Sequence, residues 1–193
     1  NLLNLELYAP AGAAGGDLVR ALEGSLPFES CFGLVFIERV GKALSDVPAP
    51  RLERPDRTVT VPMRYDAVGR GHHYYIPVEV NGLERDFIFD TGCSFGCFVS
   101  ERYAEEVGLT IVADSIPVSG MTVGFVKLAV ADSLRVGEMV YHHPFFLVAP
   151  PDPEVDAEFA FDGVIGYDLL HAVGEVEVDN GAGVFRFPAQ PSD

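Results

Sequence analysis

The most constraining stretch of this 193-residue chain is a pair of β-rich runs joined by Asn81-Gly82. Tyr75-Ile76-Pro77-Val78-Glu79-Val80 alternates apolar and polar positions, and the strand pattern resumes from Leu83 to Phe89. Asn-Gly accepts the positive φ of a type I′ turn, so the two runs are predicted to fold back as an antiparallel hairpin. The second strand ends in Asp90-Thr91-Gly92. These three residue types make a small chemical unit. The aspartate can move a proton, and the threonine hydroxyl can tie down neighbouring backbone. Glycine lets the chain turn sharply without crowding the carboxylate.

A second segment belongs with the first. Asp162-Gly163-Val164-Ile165-Gly166-Tyr167-Asp168-Leu169-Leu170 places two β-branched residues before a glycine, and a short helix is expected after it. Between the two segments, Ser100-Glu101-Arg102-Tyr103-Ala104-Glu105-Glu106-Val107-Gly108 reads as a short helix. Ser100 is its N-cap, Glu101 suits the helix N-terminus, and Gly108 is the stop. Residues 109–118 return to strand character. Ser119-Gly120-Met121-Thr122-Val123-Gly124 forms a hairpin tip, with residues 125–130 as the return strand. Residues 134–140 give a further strand–turn–strand signal, 145–148 a buried strand, and 150–158 an acidic, proline-rich loop. Many short strands with turn signals between them predict an all-β domain with one or two short helices.

Residues 1–57 differ. Residues 16–22 and 28–44 have helical character interrupted by Gly24, Pro27 and Gly33, and 47–57 is rich in proline and charge, as in a linker. The expected division is therefore a partly helical N-terminal segment and linker over 1–57, and a β domain over 58–193. The chain opens at Asn1 and not at Met, which fits a processed product. The expected location is extracytoplasmic, either periplasmic or secreted.

A formal charge of −16 and a pI near 4.5 argue against nucleic acid and anionic membranes as partners. The acidity is concentrated late, with 12 acidic against 2 basic residues from Ala129 to Asp193. A solvated acidic surface accounts for this, as would acid adaptation or a preference for cationic peptides. No apolar run approaches the ~18 residues of a membrane span. The three cysteines, Cys31, Cys93 and Cys97, make no disulfide framework. The pairs His72-His73 and His142-His143 lack the further ligands that a metal site requires, so no metal and no cofactor are expected.

Three matches in order carry a resemblance. They are Ile76-Pro77-Val78-Glu79-Val80-Asn81-Gly82, then residues 87–94 around Asp-Thr-Gly, then residues 164–170 with the strand Glu175-Val176-Glu177-Val178-Asp179 behind them. From about residue 73 to 188 the chain resembles a retropepsin-like aspartic protease of the bacterial, single-motif kind. The resemblance implies a closed β barrel and an aspartic endopeptidase. It also implies a glycine-rich flap at 119–124, and a strand through Val164 and Ile165 passing beside the catalytic loop. Asp90, Thr91 and Gly92 would be the catalytic triplet. Cys93, Ser94, Gly120, Met121, Thr122, Val123, Gly124, Val164 and Ile165 would meet a peptide or protein substrate. The position after Asp-Thr-Gly is commonly alanine or serine in such proteins, and here it is Cys93. Asp168, after the Gly166 turn, would anchor a loop or pair with an arginine such as Arg102 or Arg186.

The chemistry needs two aspartates sharing a proton across a water, and the chain holds one Asp-[Ser/Thr]-Gly. Asp162-Gly163, Asp179-Asn180-Gly181 and Asp132-Ser133 each lack part of the pattern. A C2 homodimer with Asp90 from each subunit facing across the axis is the expected assembly. The alternative is a non-catalytic peptide-binding or scaffold protein on the same dimeric fold. A third reading is an unrelated β sandwich in which Asp-Thr-Gly is only a turn; it fails if Asp90 and Gly166 lie side by side.

Overall fold

The computed structural model describes residues 28–68, 71–94, 96–119, 123–151 and 161–189. The expected helical stretch at 16–22, the flap residues Gly120, Met121 and Thr122, and most of the acidic loop lie outside them. The chain divides into two compact units, residues 1–49 with 111–128 and residues 50–110 with 129–193.

In the first unit, α1 (Phe28–Ala43) runs without interruption through Gly33. A glycine inside a helix costs about 1 kcal/mol relative to alanine. Burial of Val35, Phe36, Ile37 and Val40 on one stretch of α1 offsets that cost. The strands β7 (Thr110–Ser119) and β8 (Val123–Val130) are neighbours in the sheet order. Arg39 on α1 donates from Nη1 to the Ser115 carbonyl at 2.9 Å. Ile116, Val126 and Leu128 are buried, while Phe125 is 60% exposed.

The second unit carries the motifs, and it is all-β with two short helices among its described residues. The hairpin of β4 (Gly71–Val80) and β5 (Leu83–Phe89) forms as the sequence predicts, with Val80 opposite Leu83. Both turn residues take positive φ, 49° at Asn81 and 89° at Gly82. Asn81 also uses its side chain, accepting from the Asp132 backbone N–H at 2.9 Å and donating to the Val107 carbonyl at 3.1 Å. On one side of the hairpin stand β9 (Ser133–Val136), β10 (Met139–His142) and β1 (Arg51–Glu53). The short β3 (Arg64–Val68) pairs with the outer part of β4.

On the other side comes β12 (Gly163–Ile165), which pairs parallel to β5 and antiparallel to β6 (Cys97–Ser100). Strand β11 (Phe145–Ala149) then pairs parallel to β6. The helix α2 (Glu101–Glu106) follows β6 and is capped as expected. The Ser100 hydroxyl accepts from the Tyr103 backbone N–H at 3.2 Å, and Gly108 ends the turn at φ +67°. The helix α3 (Tyr167–Val173) follows β12. A small sheet of β13 (Glu177–Asp179), β14 (Val184–Phe187) and β2 (Val59–Pro62) completes the unit.

The core of this unit is one cluster that includes Val59, Ile76, Phe87, Val99, Leu134, Phe146, Ile165 and Phe185, with members from both sheets. Two expectations need correction. Residues 51–53, placed in a linker, form strand β1 in register with β10. A three-residue edge strand has too little side-chain pattern to announce itself, and its hydrogen bonds come entirely from its neighbour. Arg54 after it is no linker residue either. Its guanidinium donates to the Val173 and Phe187 carbonyls, each at 3.2 Å, and to the Pro188 carbonyl, so it joins the end of α3 to the end of β14.

Candidate active site

Strand β5 delivers Asp90. Its burial pattern turns from alternating to continuous at the end, where Phe87 and Ile88 are buried and Phe89 is partly so. That is what a strand covered on both faces requires. The Phe87 ring meets Tyr103 edge-on at 5.4 Å, and Phe89 stacks at a tilt on Phe185 at 4.6 Å. The strand end is therefore fixed by aromatic packing, and the three residues that follow emerge exposed.

Backbone contacts then set the loop. The Asp90 N–H donates to the Ile165 carbonyl at 3.0 Å, which extends the β5–β12 ladder by one bond. The Gly92 N–H donates to Asp90 Oδ1 at 2.8 Å, and the Cys93 N–H to the Asp90 carbonyl at 3.3 Å. The Tyr167 N–H donates to the Cys93 carbonyl at 2.8 Å, and the Cys93 thiol donates to the Gly96 carbonyl at 3.1 Å. One carboxylate oxygen is thus held by a backbone amide, while the side chain faces solvent.

Two glycines in the second segment make this approach sterically available. A Cβ on Gly166 would stand 1.9 Å from the Gly96 carbonyl oxygen and 2.8 Å from that of Cys93. Both obstacles are backbone, so no rotamer change relieves them. A Cβ on Gly163 would enter the Phe87 ring, at 2.2 Å from its nearest carbon. Asp90 and Gly166 therefore belong to adjacent, interlocked turns, and the reading of Asp-Thr-Gly as an isolated surface turn fails.

The other expected site residues are placed as follows. Thr91, Gly92 and Ser94 are exposed, and Cys93 is partly buried. Val164 is partly buried. The Ile165 side chain is 1% exposed within the core, and it reaches the loop through its carbonyl. Val123 opens β8, and Gly124 follows it with open space around its Cα. Cys93 and Cys97 are both free thiols. Burial pushes the Cys97 thiol up to about 12, with the Asp168 carboxyl the next contributor.

Both arginines expected beside Asp168 have other carboxylate partners. Arg102 pairs with Asp162, and Arg186 with Glu177 and Asp179. Asp168 is buried instead, with the Tyr141 hydroxyl 3.4 Å from its Oδ1. The sequence reading also passed over Gly96, which holds φ +106° against the Phe145 ring. A lone glycine four residues after Gly92 carries no local pattern that would single it out.

Among the described residues, no three His, Cys, Asp or Glu side chains converge as metal ligands. His142 pairs with Glu53 at 3.2 Å, and His72 stacks on Tyr65. None of the described helices is long and apolar enough to cross a membrane.

Residues 76–169 match the family model described as aspartyl protease. No curated protein matches the chain. Similar solved structures include a retropepsin-like aspartic protease from Rickettsia conorii, at 15% identity and a TM-score of 0.45, covering 72% of this chain and 91% of that one. The retroviral protease-like domain of Ddi1 from Leishmania major is similar at 21% identity and a TM-score of 0.41, covering 61% and 93% respectively. The EIAV protease in complex with the inhibitor HBY-793 is similar at 14% identity and a TM-score of 0.39, covering 54% and 91%. The fold is retropepsin-like, and the segment similar to the aspartyl protease family holds β5 and β12, paired beside Asp90.

Proposed function

We propose that the chain is an aspartic endopeptidase that works as a homodimer, with Asp90 of each subunit forming the catalytic pair. The observation that carries this reading is the state of Asp90. Its carboxylate is exposed, one oxygen is oriented by the Gly92 amide, and no second carboxylate pairs with it among the described residues. A single carboxylate in this setting is half of a machine. A second copy related by a two-fold axis supplies the other half.

The mechanism follows from placing two such groups in contact. Like charges that close cannot both ionise, so the pair holds one proton between them. The ionised member draws a proton from a water, which attacks the peptide carbonyl. The protonated member supports the developing oxyanion, and a proton then passes to the departing nitrogen. Cleavage is favoured on the acid side, where the pair keeps its shared proton. Thr91 fixes one loop against its copy, and Gly92 brings bare backbone to the substrate. Cys93, Ser94 and Val164 line the peptide's path.

Mixing tests this directly. Wild-type chain titrated with an excess of Asp90→Asn chain forms mixed dimers with one aspartate, so peptide cleavage falls towards zero. Cleavage that tracks the amount of wild-type chain, whatever the excess, would show that one subunit suffices and would end the proposal.

A further inference from the structure

The chain enters its second unit through β1, three residues on an edge of the large sheet with β10 as their neighbour. Arg51 stands opposite His142, Leu52 opposite Tyr141 and Glu53 opposite Val140. So short a strand makes few backbone bonds, and its side chains supply much of its hold. Leu52 packs, partly buried, against the core cluster. Arg54, the next residue, is tied to the Val173, Phe187 and Pro188 carbonyls, which anchors one end of this strap. At the other end, residues 45–50 are irregular and mostly exposed.

The remaining hold is charged. His142 Nε2 lies 3.2 Å from Glu53 Oε2, and Arg51 Nη2 donates to the same oxygen at 3.4 Å. A neutral imidazole gives Glu53 a plain hydrogen bond, and a protonated one gives a charge-assisted bond. The surroundings of the ring are mixed. Arg51 stands directly opposite it on β1, and the His143 ring is 6.4 Å away. On β9, Ser133 is opposite, and Arg135 pairs with Glu79 of β4 at 3.4 Å. Asp132 meets His143 through its backbone carbonyl, and Glu138, in the β9–β10 turn, pairs with Arg57. Among the described residues, Glu53 is the carboxylate in contact with His142. That contact, and after it Arg51, holds the Glu53 carboxyl below its ordinary 4.5. Glu53 is therefore ionised throughout the range between pH 5 and 8 in which imidazoles titrate.

We propose that β1 is a pH-sensitive latch, in which protonation of His142 tightens its grip on Glu53 and fixes residues 51–53 to β10 in mild acid. As the ring loses its proton, the strap opens at residues 51–53 while Arg54 stays tied. A histidine that gains a partner when charged adds stability below the imidazole range, and that stability is lost as the pH rises through it. Below the lowered range of Glu53 the carboxylate takes up a proton and the gain is lost again, so the grip is greatest near pH 5. Arg51 shares the same oxygen and opposes the imidazolium, and the pair is open to water, so the effect is modest and sensitive to salt. The latch is built from β1 and β10 alone and does not depend on the reading of Asp90.

Amide hydrogen exchange on the full chain tests this. Protection at residues 51–53 is followed from pH 5 to pH 8, with each rate divided by the intrinsic rate at that pH and with amides in β4 and β5 as the reference. Protection of β1 is expected to be about two- to fivefold greater at pH 5 than at pH 8, the range of an exposed charge pair, while β4 and β5 hold theirs. His142→Gln keeps a donor without a titrating ring, and Glu53→Gln keeps an acceptor without a charge, so each flattens the profile. Salt at about 1 M shrinks the wild-type step. A wild-type step that persists in His142→Gln would assign the titration to another group and overturn the proposal. A flat wild-type profile, or a step shared equally by β4 and β5, would overturn it as well.

Discussion

Two turns in this protein begin with an aspartate and reach a glycine two residues later. In both, an aspartate oxygen accepts from a nearby amide, from Gly92 at 2.8 Å in the first turn and from Ala182 at 2.9 Å in the second. Their surroundings differ. Asp179 ends a three-residue, largely exposed strand, and Arg186 lies 2.8 Å from its carboxylate. The charge is answered within the hairpin, and the turn serves only to join β13 to β14. Asp90 ends a strand covered on both faces, beside a second turn that admits no side chain, and no cation pairs with it among the described residues. The same local chemistry becomes a hairpin turn in one setting and a poised carboxylate in the other. What separates them is the company of β12 and Gly166.

The sharpest way to break this contrast is to add one methyl group to each turn. Gly166→Ala forces a carbon against two backbone carbonyls, and a loss of more than about 4 kcal/mol or failure to fold is expected in denaturant unfolding. Gly181→Ala, whose Cβ meets Asp179 Oδ1 at 3.4 Å and no backbone, is expected to change stability by less than about 1 kcal/mol. Equal losses would mean that the interlock at Gly166 does not distinguish the two turns.

Gly163→Ala comes next. Its obstacle is the Phe87 ring, a side chain that can shift, so a cost of about 1–3 kcal/mol is expected. A Phe87→Leu change combined with it should cost less than the sum of the two single changes, because both act on one space. Strict additivity in chemical denaturation would contradict the packing account. A smaller effect belongs to Tyr103, whose hydroxyl donates to the Leu83 carbonyl at 2.7 Å beneath the hairpin that delivers Asp90. Tyr103→Phe should cost about 1 kcal/mol. Burial also pushes the Tyr103 hydroxyl up to about 12, so alkaline titration of this tyrosine should lag that of free tyrosine.

The smallest effect is electrostatic and concerns the second turn. The Ala182 amide, and after it Arg186, hold the Asp179 carboxyl below its ordinary 3.8. A carboxylate depressed in the folded state contributes stability that is present above that ordinary value and disappears as the pH falls through the folded one. Asp179→Asn should therefore lower stability slightly at neutral pH and flatten the acid limb below about pH 4. The pair is exposed, so salt should shrink the difference. Urea unfolding of both forms at pH 3 and pH 7 measures it, and an equal difference at the two pH values would refute the linkage.

Much of this contrast was visible in the sequence where the cause is local. Asn81-Gly82 announced its turn because only a few residue pairs accept two positive φ angles, and Ser100 announced its helix by capping it. Phe87-Ile88-Phe89 before Asp90 and Val164-Ile165 before Gly166 showed two buried strand ends. Their union was legible only because a family pattern joins them across more than seventy residues. What stayed hidden depends on partners distant in sequence. Strand β1 owes its bonds to β10, and α1 passes through Gly33 because burial outweighs propensity. Asp168 looks like an arginine partner until Tyr141, from another strand, is seen beside it. Gly96 matters only because Gly166 leaves no room between them.

The central claim is that Asp90, and not a generic acidic surface, is the working group of a two-subunit site. It is tested most directly by peptide cleavage from pH 3 to 7 with wild type and Asp90→Asn, and sedimentation on the same samples. The account predicts acid-favoured cleavage by a dimeric wild type, and none by an equally folded Asp90→Asn dimer. Cleavage that survives in Asp90→Asn would contradict it.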